Sequence, residues 1–240
     1  DKVVSKVIKK KGLEQKIKSD NRLYIISGAN GYLGESYLTW ISENENSDTI
    51  ALSRSQIINS KYESYGLDLS ESNSCNELIQ NLNLSSYDEI IYVHPVGGFL
   101  FEENIEKNNV NIEEKIFKSN VDTFTNLVLP LLNTISENQH LTTIAFGSIS
   151  DKYNVPYWSS YSKSKNYLRS ILKEYTQKKI NFSNIFVNVS TVDTGNENKL
   201  RPNPLDKEHW LRSDEIVEST MKYIYNPIPS YLEVDIYKKS

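Results

Sequence analysis

Short apolar runs alternate with longer amphipathic segments from Arg22 to the end of the chain. The short runs have the composition of buried strands, and the longer segments have the apolar spacing of helices. Strands that are separated by helices pair in parallel through right-handed crossovers. The sequence therefore predicts an α/β fold, a Rossmann-like doubly wound parallel sheet with helices on both faces. The predicted strands are residues 22–27, 48–53, 67–70, 87–94, 141–146, 184–190 and 231–237, and the predicted helices are residues 35–43, 75–82, 116–135, 157–177 and 214–225.

Length and composition limit the possible classes of protein. A chain of 240 residues fits one large domain, and 38% hydrophobic residues are enough for a sizeable core. A net charge of -4 gives no reason to expect nucleic acid as a partner. Cys75 is the only cysteine and the three histidines are scattered, so we expect no disulfide, no metal site and a cytoplasmic location. No apolar stretch is long enough to predict a membrane span.

The first twenty-one residues differ from the remainder of the chain. They carry seven lysines, and Val3, Val4, Val7 and Ile8 recur at helical spacing. We interpret residues 1–21 as a basic leader or linker and residues 22–240 as the folded domain. A basic amphipathic surface helix is the alternative, although Gly12 would weaken it.

A glycine-rich loop, SGANGYLG, follows the first predicted strand at residues 27–34. Gly28, Gly31 and Gly34 have no Cβ, so a ligand could approach the backbone closely. The helix that follows presents unpaired N–H groups and a partial positive charge at its amino end. The loop is therefore predicted to hold the pyrophosphate of a dinucleotide, although a tight turn used only for packing is the alternative.

The end of the next strand, ALSRS, indicates which dinucleotide is preferred. In this fold that position faces the adenosine ribose, where an acidic residue favours NAD and an arginine favours NADP. Arg54 stands there without an acidic neighbour, so NADP(H) is the preferred cofactor and NAD(H) is possible. Arg54 could alternatively be an ordinary surface charge. Asp68, in the short predicted strand LDLS, could accept a hydrogen bond from the adenine amino group or cap the next helix.

Tyr161 and Lys165 are four residues apart in a predicted helix, which puts their side chains on one face. An ammonium group beside a phenol favours the phenolate and lowers its pKa, so Tyr161 could act as an acid or base near neutral pH. Ser148 follows the strand LTTIAF and could donate a hydrogen bond to a carbonyl oxygen opposite Tyr161. The three residues together predict proton transfer to or from a carbonyl or alcohol.

These features resemble the short-chain dehydrogenase/reductase family over residues 22 to about 237. The resemblance is carried by SGANGYLG, LDLS, VHPVGG, SNVDT, Ser148 and YSKSK. It implies that Tyr161 is the proton donor or acceptor and that Lys165 lowers the pKa of Tyr161 and binds the nicotinamide ribose. It also implies that Ser148 orients the substrate oxygen and that Asn120 supports a water-mediated proton relay.

The resemblance further implies the residues that bind the cofactor. Thr191, Val192 and Thr194 are candidates for contacts to the nicotinamide carboxamide. The family commonly dimerises through two long helices, so we expect a homodimer or homotetramer. The complete set of predicted cofactor-binding residues is Gly28, Asn30, Gly31, Tyr32, Leu33, Gly34, Ser53, Arg54, Asp68, Leu69, His94, Pro95, Val96, Tyr161, Lys165, Thr191, Val192 and Thr194.

Two departures from the family pattern leave other functions open. The glycine spacing is that of the longer branch that modifies sugar nucleotides, so an epimerase or dehydratase is an alternative. His94 and Pro95 stand where the family usually has two asparagines, which makes a non-catalytic dinucleotide-binding module a second alternative. We interpret His94 as a loop residue near the cofactor, not as a catalytic base, because Tyr161 already supplies the proton.

The substrate is only coarsely indicated. Several aromatic or apolar residues follow strands or precede the Tyr161 helix, which is compatible with an apolar or ring-bearing substrate, although each could belong to the core. The irregular segment at residues 195–213 is expected to be functional because long loops inside domains usually are. The candidate substrate contacts are Phe99, Leu100, Phe101, Tyr157, Trp158 and Trp210.

Overall fold

The computed structural model describes residues 2–15, 21–55, 61–99, 111–153 and 155–239. Leu100 and Phe101 lie outside these ranges. The strands are β1 Lys2–Gln15, β2 Arg22–Ile26, β3 Asp48–Ser53, β4 Glu63–Gly66, β5 Glu89–His94, β6 His140–Ser148, β7 Phe182–Val189 and β8 Ile228–Lys239. The helices are α1 Tyr32–Asn44, α2 Ser72–Asn81, α3 Ile112–Phe117, α4 Thr123–Thr134, α5 Ser159–Lys178, α6 Gly195–Leu200 and α7 Ser213–Met221, with a π-helical turn at Lys118–Asp122 between α3 and α4.

The eight strands form one sheet in the order β1-β8-β7-β6-β5-β2-β3-β4. Every pair from β8 to β4 is parallel, and only β1 pairs in the antiparallel sense. The strand order reverses at β2: β3 and β4 lie on one side of it, and β5 and the later strands lie on the other. This arrangement confirms the predicted doubly wound α/β fold.

Each face of the sheet has its own apolar core. Helices α2, α4 and α5 cover one face, and helices α1 and α7 cover the other. Alternate residues of one strand enter different cores. In β5, Ile90 and Tyr92 point to the first core, while Ile91 and Val93 point to the second. A strand buried on both faces reads as a continuous apolar run, which is how the sequence identified it. No helix in the described ranges is long and apolar enough to cross a bilayer.

The amino-terminal segment corrects the interpretation of residues 1–21 as a leader, linker or surface helix. Residues 2–15 form β1, which pairs with β8 from Lys2 opposite Lys239 to Gln15 opposite Ile228. Without β1, β8 would present a row of unpaired N–H and C=O groups at the sheet edge. The β-branched residues of this segment favour a strand, and lysines suit the solvent-exposed outer edge.

Gly12 has a specific role in this edge strand. Its φ is +84°, and the pairing register shifts between Lys11 and Glu14. A Cβ at Gly12 would lie 2.5 Å from Ser230 Oγ. Gly12 therefore permits a β-bulge and does not interrupt a helix.

Two local predictions in the central and late parts of the chain also need correction. The predicted strand LDLS at residues 67–70 follows β4 as a turn, because the Asp68 carboxylate accepts hydrogen bonds from the backbone N and Oγ of Ser70 at 2.9 and 2.7 Å. Such a side-chain bond to the backbone competes with strand pairing. The segment at residues 195–213 is not wholly irregular, since it contains α6 and a short helical turn at Lys207–His209.

Candidate functional site

The carboxyl ends of the parallel strands meet at one edge of the sheet. The glycine loop follows β2, Arg54 follows β3, Ser148 ends β6, and Thr191 follows β7. The crevice above β2 and β5, where the strand order reverses, is the usual ligand site in a doubly wound sheet. The fold therefore brings most of the predicted site residues to one edge.

The glycine loop is closely folded. Gly28 has φ +59° and its carbonyl accepts a hydrogen bond from Gly31 N at 2.8 Å. A Cβ at Gly34 would lie 2.2 Å from Gly28 O, so only glycine allows this approach of helix and loop. No side chain caps the amino end of α1. The loop can therefore hold a pyrophosphate against backbone N–H groups.

Tyr32 and Leu33, the remaining predicted contacts in this loop, begin α1. Tyr32 is exposed, and a Cβ at Gly195 would lie 3.0 Å from its ring. Leu33 is half-buried and packs on the core below α1. Helix α6 therefore approaches the glycine loop across the end of the sheet.

The end of β3 carries a polar cluster. Asn30 Nδ2 donates to Ser53 Oγ and Ser55 Oγ, both at 3.1 Å, which links the glycine loop to this strand. The Arg54 side chain is exposed beside this link. A cation and several hydroxyl groups at this position can hold a phosphate on the adenosine ribose.

Asp68 and Leu69, the predicted cofactor contacts that follow β4, already make contacts within the protein. The two hydrogen bonds from Ser70 lower the pKa of Asp68, with a smaller contribution from the charge of Arg54. Leu69 is buried in the core, and its carbonyl accepts a hydrogen bond from Asn126 Nδ2 at 3.0 Å. The structure therefore does not support the capping alternative for Asp68, because its carboxylate bonds Ser70 in the turn before α2 and no side chain caps that helix. The Leu69 side chain belongs to the core.

His94 is the last residue of β5 and is buried, which corrects its description as a loop residue. Its Nδ1 lies 2.6 Å from the Tyr92 hydroxyl and 2.9 Å from Ser27 Oγ. Its Nε2 lies 3.3 Å from Thr123 Oγ1. Burial, with a smaller effect of Lys165, lowers the pKa of His94 to about 3. His94 is therefore neutral and connects β5 to the start of α4.

The residues after His94 pack on the glycine loop. Pro95 and Val96 are half-buried, and a Cβ at Gly28 would lie 3.0 Å from Val96 Cγ2. A Cβ at Gly97 would lie 2.9 Å from Asn120 Oδ1 and 3.3 Å from Lys165 Nζ. The segment therefore separates the glycine loop from the predicted catalytic residues.

Asn120 lies in the π-helical turn and is buried. Its Oδ1 accepts a hydrogen bond from Gly98 N at 2.8 Å, and its Nδ2 donates to Gly98 O at 2.9 Å. Nδ2 also donates to Ser164 Oγ at 3.0 Å. The π turn inserts one extra residue in the helix and turns this side chain inward, a feature that is frequent at functional sites.

Ser148 and Tyr161 are brought together across the end of β6. A side-chain hydrogen bond from Ser148 lowers the pKa of Tyr161, but burial and the charge of Asp151 outweigh it. The net pKa of Tyr161 is therefore raised, with a further contribution from Glu197. This differs from the predicted lowering by Lys165, because burial disfavours the charged phenolate.

Lys165 lies one helical turn after Tyr161. Its Nζ donates to the carbonyl of Phe146 at 3.0 Å and lies 5.6 Å from the centre of the Tyr161 ring. Burial lowers the pKa of Lys165 to about 8, and the charge of Asp151 partly opposes this change. Lys165 therefore remains largely protonated at neutral pH, between Tyr161 and Gly97.

The segment after β7 places its hydroxyl groups in local bonds. Thr191 Oγ1 accepts a hydrogen bond from Arg201 Nη2 at 3.1 Å. Thr194 Oγ1 accepts one from Glu197 N at 3.2 Å and so caps α6. Val192 forms a parallel bridge with Leu211. The predicted carboxamide contacts thus lie at this edge, but the two threonine hydroxyl groups also support α6.

Aromatic rings surround the phenol of Tyr161. The Phe99 ring lies 4.7 Å from that of Trp158 and 5.4 Å from that of Tyr161, both edge-to-face. Tyr157 is exposed and has a φ of +64°. Trp210 is buried at 2% exposure, with the Arg201 guanidinium 4.6 Å from its ring centre. Trp210 is therefore a core residue and not a candidate substrate contact.

Sequence reasoning did not identify three charged residues near the phenol. Asp151 and Glu197 both raise the pKa of Tyr161. Arg169 lies four residues after Lys165 and pairs with Asp151 at 2.8 Å. The spacing of Tyr161, Lys165 and Arg169 was a usable signal, because it continues one helical face. In the described ranges, no group of three His, Cys, Asp or Glu side chains could hold a metal ion.

Comparisons of sequence and of structure differ in outcome. No family model and no curated protein sequence matches this chain. Solved structures match it over nearly their whole length. An alcohol dehydrogenase from the archaeon Thermococcus sibiricus, complexed with 5-hydroxy-NADP, is 15% identical with a TM-score of 0.73, covering 91% of this chain and 98% of that chain.

Two further structures agree. A short-chain dehydrogenase from Burkholderia cenocepacia, in complex with NADP, is 15% identical with a TM-score of 0.71, covering 90% of this chain and 87% of that chain. A 4-hydroxyisoleucine dehydrogenase complexed with NADH is 21% identical with a TM-score of 0.72, covering 90% and 97%. The chain therefore has the fold of the short-chain dehydrogenases.

Proposed function

We propose that this chain is a short-chain dehydrogenase/reductase, an NADP(H)-dependent oxidoreductase that interconverts a carbonyl and a secondary alcohol. One observation carries the proposal. Ser148 lies near enough to Tyr161 to lower its pKa, and Lys165 lies on the next helical turn beside Gly97. This group stands at the same sheet edge as a glycine loop that fits a pyrophosphate.

Each residue of the group has a role in the proposed reaction. The cofactor supplies the hydride for the carbonyl carbon when it is bound. Tyr161 donates its proton to the carbonyl oxygen during reduction and takes a proton from the alcohol in the reverse direction. Ser148 donates a hydrogen bond that orients the same oxygen, which fixes the geometry of the reaction.

Lys165 and Asn120 support the proton transfer. The Lys165 ammonium group binds the nicotinamide ribose and offsets negative charge as Tyr161 loses its proton. Asn120 holds Gly98 through two hydrogen bonds and supports a water chain that returns a proton to the site. We assign the carboxamide contacts to Thr191, Val192 and Thr194.

The cofactor preference rests on the end of β3. The Arg54 guanidinium is exposed there beside Ser53, Ser55 and Asn30, and this polar group suits the ribose phosphate of NADP(H). Similar folds are bound to NADP or to NADH in their own structures, so NAD(H) stays possible.

The substrate is proposed to be apolar or ring-bearing. Phe99 and Trp158 lie edge-to-face against each other and around Tyr161, so a flat apolar group can pack there. The negative charges of Asp151 and Glu197 act on the same phenol and would oppose an anionic substrate.

The oligomeric state and compartment are further proposals. A shallow cleft of about 420 Å³ runs along the outer side of α5, lined among others by Tyr153, Val155 and Tyr167. We propose that a second copy of the chain covers this side in a homodimer or homotetramer, which sedimentation equilibrium would detect. Cys75 is free and buried, so we propose the reducing cytoplasm, to be tested by cell fractionation.

The first experiment is equilibrium binding of NADPH and NADH, followed by NADPH oxidation with aromatic and aliphatic ketones and aldehydes. Tyr161→Phe should reduce turnover by about 10²-fold or more and leave the NADPH dissociation constant unchanged, because it removes only the proton. Tyr175→Phe, at a half-buried tyrosine later in the same helix, is the matched control and should retain activity.

The possible results separate the proposal from its alternatives. Retained turnover in Tyr161→Phe would contradict the assigned proton donor. Binding of NADPH without oxidation by any carbonyl would favour the non-catalytic module. Conversion of a sugar nucleotide without net NADPH oxidation would favour the epimerase or dehydratase. If neither dinucleotide binds, the glycine loop is a tight turn used only for packing.

A further inference from the structure

Helix α5 continues the line of Tyr161 and Lys165 with a third polar residue. Arg169 follows Lys165 by four residues, so all three side chains lie along one helical face. Lys165 and Arg169 are buried on this face. The predicted reaction uses the first two residues and has no role for the third.

Arg169 is the centre of a buried ionic network. Its Nη2 donates to Asp151 Oδ2 at 2.8 Å and to Asn188 Oδ1 at 3.0 Å, and its Nε donates to Glu233 Oε1 at 3.0 Å. The guanidinium also lies 4.8 Å from the ring centre of Phe186. Burial of ion pairs is costly, and apolar residues of similar volume are often as stable. A stabilising role alone therefore does not account for this network.

Asp151 connects this network to the predicted catalytic residues. It lies in the helical turn Ile149–Lys152 that begins directly after Ser148. Its Oδ2 also lies 3.5 Å from Ser148 N, while Ser148 Oγ accepts a hydrogen bond from Ser150 N at 3.2 Å. The orientation of Ser148 therefore depends on a turn that the Asp151–Arg169 pair attaches to α5.

The second carboxylate oxygen of Asp151 is not used by this network. Oδ1 is buried and has no hydrogen-bond partner among the described residues. The Asp151 charge raises the pKa of both Tyr161 and Lys165, so the carboxylate acts on both groups. A structural ion pair would be expected to satisfy both oxygens.

The other charged or polar groups around the phenol come from three elements. Glu197 approaches Tyr161 from α6, Lys165 approaches it from α5, and Ser148 approaches it from β6. Burial raises the pKa of Asp151, while the charges of Arg169 and Lys152 oppose this rise and favour the ionised carboxylate.

We propose that Asp151, held by Arg169, is a positioning residue that fixes the Ser148 turn on α5 and keeps the Tyr161 proton in place for delivery to a carbonyl oxygen. This proposal rests on the proposed function in so far as Tyr161 donates a proton. Asp151 does not touch the substrate or the cofactor, and it acts through Ser148 and through its charge.

The test compares Asp151→Asn with Glu233→Gln. Both variants remove one carboxylate from Arg169, and each leaves the other carboxylate in place as a partner. Of these two carboxylates, Asp151 acts on Tyr161 electrostatically and Glu233 does not. Absorbance of tyrosinate is titrated in each variant and in its Tyr161→Phe counterpart, and the difference gives the ionisation of Tyr161 alone.

We expect Asp151→Asn to move the ionisation of Tyr161 to lower pH by about one unit, since a nearby negative charge is lost. Glu233→Gln should leave this ionisation in place. The alkaline limb of kcat/KM for NADPH-dependent reduction should move together with the titration. If neither the titration nor the limb moves in a folded Asp151→Asn protein, the proposal is wrong.

A second variant and a measurement without substrate complete the test. If Asp151→Asn fails to fold by circular dichroism, Asp151→Glu keeps the charge and should hold the ionisation of Tyr161 near its wild-type position. A shift of about one unit in Asp151→Glu would overturn the proposal. The titration needs no substrate, so a chain that reduces no carbonyl would contradict the proposed function and still test the effect of Asp151.

Discussion

Lys165 is an instructive residue because two opposing effects act on one ammonium group. Burial lowers its pKa to about 8, while the nearby Asp151 carboxylate pulls the pKa upward. The same carboxylate and burial both disfavour ionisation of Tyr161. At the residue scale the site therefore keeps a neutral phenol beside a cation, which suits donation of a proton more than its removal.

Arg54 is predicted to determine the preference for NADPH over NADH. Arg54→Ala should raise the dissociation constant of NADPH by about tenfold and leave that of NADH unchanged, because only NADPH has the ribose phosphate. Equilibrium titration of cofactor fluorescence measures both values. Lys179→Ala is the control, since Lys179 is an exposed cation just before β7 and so at the opposite edge of the sheet. Equal weakening of both cofactors, or of neither, would make Arg54 an ordinary surface charge.

The edge strand β1 is the element whose structure depends most on its partner. Its lysines and β-branched residues allow a solvated leader, an amphipathic helix or a strand. The long strand β8 decides between them, because its outer edge would otherwise be unpaired. Opposite charges then face each other across the pair, as with Lys6 opposite Asp235 and Lys9 opposite Glu233.

A substitution at Gly12 distinguishes the edge strand from the helix, because it would lower the free energy of unfolding in one and raise it in the other. Gly12→Ala should lower the free energy of unfolding by about 1–3 kcal/mol, because alanine is strained at positive φ and its Cβ would meet Ser230. Urea denaturation measures the change, and Lys11→Ala, an exposed neighbour, is the control. In a helix the same substitution would be stabilising by about 1 kcal/mol, so increased stability would contradict the edge strand.

At the scale of the whole molecule, polar side chains are buried within an otherwise apolar sheet. His94 ends β5 and His140 begins β6, so they lie at opposite edges of the sheet. Burial lowers the pKa of His140 to about 4, and that of His94 to about 3. Both histidines are neutral in the folded protein and would be charged in the unfolded chain below pH 6.5. Each therefore stabilises the fold above that pH and loses this contribution as the pH falls toward its folded pKa.

His140→Gln tests this dependence on pH. Glutamine can keep a hydrogen bond to Ser183 Oγ, which lies 3.0 Å from His140 Nε2, but it does not titrate. Between pH 7 and pH 5 the free energy of unfolding should fall by about 2 kcal/mol less in His140→Gln than in the wild type. Chemical denaturation at both pH values gives the difference. Identical falls in His140→Gln and in the wild type would show that His140 does not contribute.

The sequence by itself determined the features that depend on local spacing. Alternating strand and helix periods identified β2, β3, β5, β6 and β7 and hence the parallel sheet, because each period reflects the side-chain geometry of one element. The spacing of Gly28, Gly31 and Gly34 identified the loop, and the four-residue interval identified Tyr161 with Lys165. These intervals lie within one loop or one helix, so no distant part of the chain is needed to interpret them.

Only the tertiary structure decided features that join distant residues. The position of residues 2–15 depended on β8, more than 200 residues later. The environment of His94 depended on Ser27 and Thr123, which lie in separate parts of the chain. Asp151 became part of the site because Arg169 attaches it to α5 and Glu233 holds Arg169 from β8. Burial and electrostatic coupling depend on distances in space, and a linear sequence does not contain those distances until the sheet has formed.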